Sequence, residues 1–209
     1  MVLYDSWKKG LMKILWTVTD KCNYSCPYCN GKHWISKLSN INELKMSKTP
    51  EEVCNTLSKI KKPMCLEIIG GEVTLFDLKK ILTPEVLSIN NVKKYIITSN
   101  GWRPIDYWFD FFNYFSFYKD KTLNLNISIH ETEVNDLEKT LKKFYAIKKV
   151  GEMFKNISIV LFFVKTENNF EAEKIIKEFE KKHNDICMYM NVDYNITDIN
   201  KITEVANRC

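Results

Sequence analysis

Six short apolar runs rich in β-branched residues recur along the chain, at 12–19, 64–70, 94–100, 122–130, 156–164 and 186–192. Their starts lie 52, 30, 28, 34 and 30 residues apart. Runs of this length bounded by polar turns read as buried strands. A repeat of about 30 residues is that of a strand, a helix and the turns leading to the next parallel strand. Helices fit the gaps. Thr49 can cap a helix over 51–61 that has Pro50 at its start and Val53, Leu57 and Ile60 on one face. Val134, Leu137, Leu141, Phe144 and Ile147 recur at helical spacing over 134–149, and Phe170, Ile175, Ile176 and Phe179 do so over 170–182. Shorter helices are expected at 77–82 and 105–115, the aromatics of the latter serving as core. Strands alternating with helices imply an α/β fold with a parallel sheet and right-handed crossovers. Eight such units typically need about 250 residues. A chain of 209 residues with six strands is therefore expected to form an incomplete (β/α)6 barrel, one domain over 1–209. In barrels of this kind chemistry sits in the loops after the strands.

Composition narrows the class. At 45% hydrophobic and 27% charged, with only 6 Gly and 5 Pro, the chain reads as one globular body without a long linker. The longest purely apolar run, Ile159 to Val164, is far short of the roughly 18 residues of a spanning helix. The start, MVLYDSWKKGLMKILW, lacks the pattern of a secretory signal, so the expected location is cytoplasmic and no membrane partner is expected. Thiols stay reduced there, so seven Cys point to metal or chemistry before disulfides. The net charge of +5 comes almost wholly from Lys, with Arg only at Arg103 and Arg208. Arg supplies most bidentate readout of bases and phosphates, so the lysines read as solvated helix faces and no nucleic-acid partner is expected.

The first repeat is longer than the others, and the excess lies in a loop over 20–46 directly after the first strand. That loop carries CNYSCPYC, with Cys22, Cys26 and Cys29 separated by three and then two residues. Three thiolates so close can hold a polynuclear iron cluster, whereas a tetrahedral zinc site needs a fourth ligand. His33 follows four residues after Cys29 and keeps zinc open. Cys54, Cys65 and Cys187 fall on apolar patterns and read as small buried hydrophobes, while Cys209 ends the chain without a neighbouring Cys. Three further motifs end successive strands: Gly70-Gly71-Glu72, Thr98-Ser99-Asn100-Gly101 and Ser128-Ile129-His130.

With C-x3-C-x-Tyr-C after the first strand, these motifs resemble, in order, those of the radical S-adenosylmethionine (radical SAM) enzymes, over nearly the whole chain. The resemblance implies a [4Fe–4S] cluster on Cys22, Cys26 and Cys29, one iron of which is left for the amino and carboxylate groups of SAM. One electron then cleaves SAM to methionine and a 5′-deoxyadenosyl radical, and the protein binds, orients and shields. Cofactor contacts are expected from Tyr28, Gly70, Gly71, Glu72, Ser99, Asn100, Ser128, His130, Met188 and Tyr189. Glu72 is expected to accept from the methionine ammonium. Substrate contacts are expected at the mouth from Asp20, Trp34, Trp102, Arg103, Glu131 and Asp193, with Trp16, Lys165 and Asn191 as further candidates. Neither a second cysteine cluster nor a separate recognition domain is expected. Compactness and an aromatic, carboxylate-rich rim suggest a small 7-deazapurine such as queuine, cleaved to 7-aminomethyl-7-deazaguanine as in a queuine lyase. A glycyl-radical enzyme activase working on a protein partner is the alternative, and a non-enzymatic iron–sulfur or zinc protein the third. A reductant such as flavodoxin or ferredoxin is the expected electron donor.

Overall fold

The computed structural model describes residues 11–29, 31, 33–165, 169–183 and 189–192. Six strands form one wholly parallel sheet in the order β1-β4-β5-β6-β7-β8: β1 Met12–Thr17, β4 Met64–Ile69, β5 Val92–Ser99, β6 Thr122–Ile129, β7 Ile157–Lys165 and β8 Tyr189–Val192. Two-residue strands β2 (Lys21–Cys22) and β3 (Ser36–Lys37) pair separately, also parallel. The main sheet is that of a partial (β/α)6 barrel, and β1 and β8 do not pair among the described residues. All six expected strands are present; the part of the last one over 186–188 lies outside the described residues.

Helices α1 (Pro50–Leu57), α2 (Leu78–Ile81), α3 (Pro84–Leu87), α4 (Ile105–Ser116), α5 (Leu137–Glu152) and α6 (Phe170–Lys182) follow the strands. Thr49 and Glu52 form a reciprocal capping box at the start of α1, as the Thr-Pro-Glu-Glu sequence invites. The single helix expected over 77–82 is two short ones, because Thr83 caps a new turn and Pro84 has no N–H for the old one. α5 starts three residues later than expected: Asp136 accepts from the Lys139 N–H and leaves Val134 extended. No helix among the described residues is long and apolar enough to cross a membrane.

Alternation splits each strand between two faces. Met64, Leu66 and Ile68 of β4, Tyr95 and Ile97 of β5, and Leu123, Leu125, Ile127 and Ile129 of β6 face the helices and join Trp108, Phe111, Phe112 and Phe115 of α4 in the core. The aromatics of α4 are thus core, as expected. Cys65 is buried and Cys54 half-buried, while Cys187 and Cys209 lie outside the described residues. The opposite face of the sheet is polar in places. It carries the Lys13–Glu67 ion pair, and the Ser158 hydroxyl donates to the Asn124 side-chain carbonyl at 2.6 Å.

Candidate functional site

Each strand of a parallel sheet ends by turning into a helix, and at the top of this sheet those turns meet. A cavity of about 340 Å3 lies there. Cys22, Cys26 and Cys29 line it, as do Gly70, Gly71, Glu72, Ser99, Asn100, Ser128 and His130. These residues come from four stretches scattered over a hundred positions. Their convergence is a property of the fold, since parallel strands with aligned registers carry their C-terminal ends to one side.

At its stem the cysteine loop is tied to the turn after β4 through backbone hydrogen bonds. The Gly71 N–H donates to the Thr19 carbonyl and the Glu72 N–H to the Lys21 carbonyl, both at 2.8 Å. Cys22 then stands beside the turn after β4, and β3 holds Lys37 opposite it. All three thiols are free and half-buried. Burial pushes the Cys22 thiol up to about 11 and the Cys26 thiol up to about 12. Both therefore stay protonated near neutral pH unless a cation takes the proton's place. His33 is exposed and does not line the cavity, so its placement gives no support to a fourth ligand. Among the described residues no three His, Cys, Asp or Glu side chains converge closely enough to hold one ion.

Glu72 is 1% exposed, and its carboxylate gathers four donors. One oxygen accepts from the Thr74 N–H (2.9 Å), the Thr74 hydroxyl (2.5 Å) and the Ser99 hydroxyl (2.7 Å), and the other from the Asn100 N–H (2.7 Å). Burial holds this carboxyl above the ordinary range, against the pull of those donors. Glu72 borders the cavity, and its carboxylate ties the turn after β4 to the turn after β5 through Ser99 and Asn100. The role the structure gives Glu72 is that of a brace between the two turns. Glu72→Ala leaves two backbone N–H groups and two hydroxyls without their acceptor. Unpaired buried donors cost about 1–3 kcal/mol each. The variant is therefore expected to lose about 3 kcal/mol or more, read as a melting temperature lowered by about 6–12 °C. A melt within about 2 °C of the parent would contradict the bracing role.

The remaining members are held equally closely. Asn100 donates from Nδ2 to Asn23 at 2.9 Å and accepts from the Trp102 N–H at 3.2 Å. Gly101 has φ +67°, the left-handed turn that glycine permits. The His130 ring stacks on Tyr28 (centroids 5.9 Å, interplanar angle 13°) and meets Tyr24 edge-on at 6.0 Å. Burial pushes His130 down to about 4, so it is neutral, and its Nδ1 is buried without a partner. The Tyr28 hydroxyl donates to Glu131 at 3.1 Å, clasping the cysteine loop to the end of β6.

The expected substrate residues are not gathered in the cavity. Arg103 is turned away: its Nε donates to the Thr74 carbonyl at 2.8 Å and a terminal nitrogen to that of Leu75 at 3.4 Å. Its guanidinium also lies 4.4 Å from the Trp102 ring and 5.1 Å from that of Tyr107. Arg103, the only Arg among the described residues, is thus an internal brace, and Trp102 is its platform. Glu131 is occupied by Tyr28 and by Asn169 Nδ2 at 2.9 Å. Trp34 and Asp20 are exposed and do not line the cavity. Trp16 faces the helices in the core rather than the mouth. Met188 and Asp193 lie outside the described residues; Tyr189 and Asn191 fall in β8 and Lys165 ends β7, their backbones alone described. Conversely, Tyr24, Ser25, Ile35, Lys37 and Ile69 line the cavity without having been expected to. Tyr24 and Ser25 lie within the CNYSCPYC motif, whereas Ile35, Lys37 and Ile69 carried no signal in the sequence.

No family model and no curated protein sequence matches the chain. Its fold matches solved structures. A polyhistidine-tagged form of anSMEcpe with bound AdoMet superposes with a TM-score of 0.58 at 17% identity, over 88% of this chain and 51% of that one. Native anSMEcpe with bound AdoMet gives 0.58 at 16%, over 88% and 52%. The native protein with bound AdoMet and the Kp18Cys peptide gives 0.57 at 14%, over 87% and 51%. The chain thus spans about half the length of the structures it matches. At these identities the likeness establishes a shared fold, the partial parallel barrel that brings the four motifs together.

Proposed function

We propose that the chain is a radical SAM enzyme, with a [4Fe–4S] cluster held by Cys22, Cys26 and Cys29 and SAM bound in the cavity they line. The observation that carries this reading is the meeting, in one cavity, of the three free thiols with the turns after β4, β5 and β6. The donor set fits the group. Three half-buried thiols from one loop suit iron, and the irons of a cluster are separate, so their ligands need not converge on one point. The cluster would supply the electron that cleaves SAM to methionine and a 5′-deoxyadenosyl radical. The residues around it bind and orient. Neutral His130 presents an imidazole to the cavity, and Ser128 and Asn100 offer hydroxyl and amide groups. Tyr24 and Tyr28 close over His130 and keep water from that side. The bound AdoMet of the matched structures supports the same ligand here.

For the substrate, a small 7-deazapurine such as queuine, cleaved as by a lyase, remains the first reading. It now rests on the compact cavity, because Arg103, Trp102 and Glu131 have other partners. A polypeptide is the second reading, favoured by the peptides bound together with AdoMet in two matched structures. An electron donor of the flavodoxin or ferredoxin kind is part of both. The test is anaerobic reconstitution with iron and sulfide, then SAM with dithionite. Iron–sulfur absorbance and formation of 5′-deoxyadenosine are expected together; protein that takes up iron yet never cleaves SAM would sink the reading. Queuine consumed in step with 5′-deoxyadenosine supports the first substrate, and stimulation only by a polypeptide the second.

A further inference from the structure

The inner face of β6 descends from the cavity as Ser128, Asn126, Asn124 and Thr122, while Leu125, Ile127 and Ile129 between them face the core. Ser128 lines the cavity. Asn126 lies one step below and pairs across the sheet with Thr98, which also lines the cavity, and with Val160. It therefore stands next beneath residues that line the cavity. The next row down is closed: Asn124 is bonded by Ser158, and Glu67 is paired with Lys13. Asn126 is different. Its Oδ1 is buried without a hydrogen-bond partner. Every other buried or half-buried Asn among the described residues, namely Asn23, Asn91, Asn100, Asn124, Asn156 and Asn169, is bonded through its side chain. A buried amide oxygen without a partner is costly and uncommon. In a row with Val160, an aliphatic side chain would incur no such cost.

The geometry points to Asn126 as a specificity-determining residue, its amide reading the adjacent carbonyl and N–H of a lactam-bearing heterocycle bound in the cavity with SAM. A carboxamide presents one donor and one acceptor side by side, which matches the O=C–N–H edge of such a ring as it matches an adenine edge in a duplex. Rotation by half a turn exchanges the two amide atoms, so either orientation of the ligand can be met. This rests on the radical SAM reading and assigns a substrate group within it.

The test uses the reconstituted holoprotein, with queuine as the lactam probe. Asn126→Leu keeps the size and removes both hydrogen-bonding atoms; Asn126→Asp keeps the shape and removes the donor. If the amide serves a ligand, Asn126→Leu melts higher than the parent without ligand, by about 2–4 °C. Its SAM dissociation constant stays within about twofold, and queuine binding measured by equilibrium dialysis with SAM present weakens at least about tenfold in both variants. A lower melting temperature for Asn126→Leu would make the amide structural. A SAM dissociation constant about tenfold weaker would assign it to SAM instead. Queuine bound equally by parent and variants, or not bound by a parent that still cleaves SAM, overturns the lactam assignment and leaves the radical SAM reading standing. A parent that cannot cleave SAM sinks that reading itself.

Discussion

Cys26→Ala is expected to abolish the iron–sulfur absorbance and reduce SAM cleavage to background. The loop then offers two thiols, and no other free Cys among the described residues lines the cavity. Cys65 is buried on β4 and Cys54 sits in α1, so neither can stand in. Fold stability should barely move, because the Cys26 thiol is half-buried and the hydrogen bond its residue makes, from the Cys29 N–H at 3.1 Å, belongs to the backbone. Substitutions of that kind usually change stability by about 0.5 kcal/mol or less. The diagnostic result is therefore an unchanged apo-protein melt alongside a lost cluster. A full cluster in this variant, by iron and sulfide content, would remove the loop from the chemistry.

Gly71→Ala is the opposite case, with a large expected effect on the fold before any on chemistry. A Cβ there would lie 2.1 Å from the Lys21 carbonyl oxygen, 2.4 Å from its carbon and 2.9 Å from the Cys22 nitrogen. All three are backbone atoms and cannot rotate aside. Relief requires the stem of the cysteine loop to leave the turn after β4, breaking the hydrogen bonds from Gly71 to Thr19 and from Glu72 to Lys21. Overpacking and two lost bonds together come to about 2–4 kcal/mol. That corresponds to a melting temperature lower by about 5–15 °C. Cluster assembly should fail with it, because Cys22 moves with the stem. Gly31→Ala is the control: its Cβ would meet the end of the Ile35 side chain at 2.2 Å, and a flexible chain end can yield. Equal melts for the two variants would refute the argument from backbone contact.

The strands were legible because their helix-facing positions are apolar, as a near-continuous apolar run in β4 and as strict alternation in β6. The motifs were legible because turns after strands admit few residue types. Bracing was not. Nothing in the order Arg103, Pro104, Ile105 tells that the guanidinium reaches back to the carbonyls of Thr74 and Leu75, since that contact depends on how two crossovers pack. The same holds for Glu131, whose partners Tyr28 and Asn169 are remote in sequence. Charged and aromatic residues near strand ends look alike whether they meet a ligand or one another. Asn126 escaped notice for the converse reason: an Asn within a strand reads as a weak strand former, and only the register shows that it lies under the cavity.

The bracing has a thermodynamic consequence. Glu72 ties Thr74 to Ser99 and Asn100, Arg103 ties Thr74 and Leu75 to its own turn, and the Lys143 ammonium of α5 donates to the Gly101 and Trp102 carbonyls at 2.8 Å each. Two turns and a helix are thereby joined into one wall by the chain's own hydrogen bonds. The conformational entropy of that wall is surrendered during folding, so a ligand arriving against it is spared that cost. Affinity on this side of the cavity is thus set by rigidity already in place, with little left for a closing motion to add.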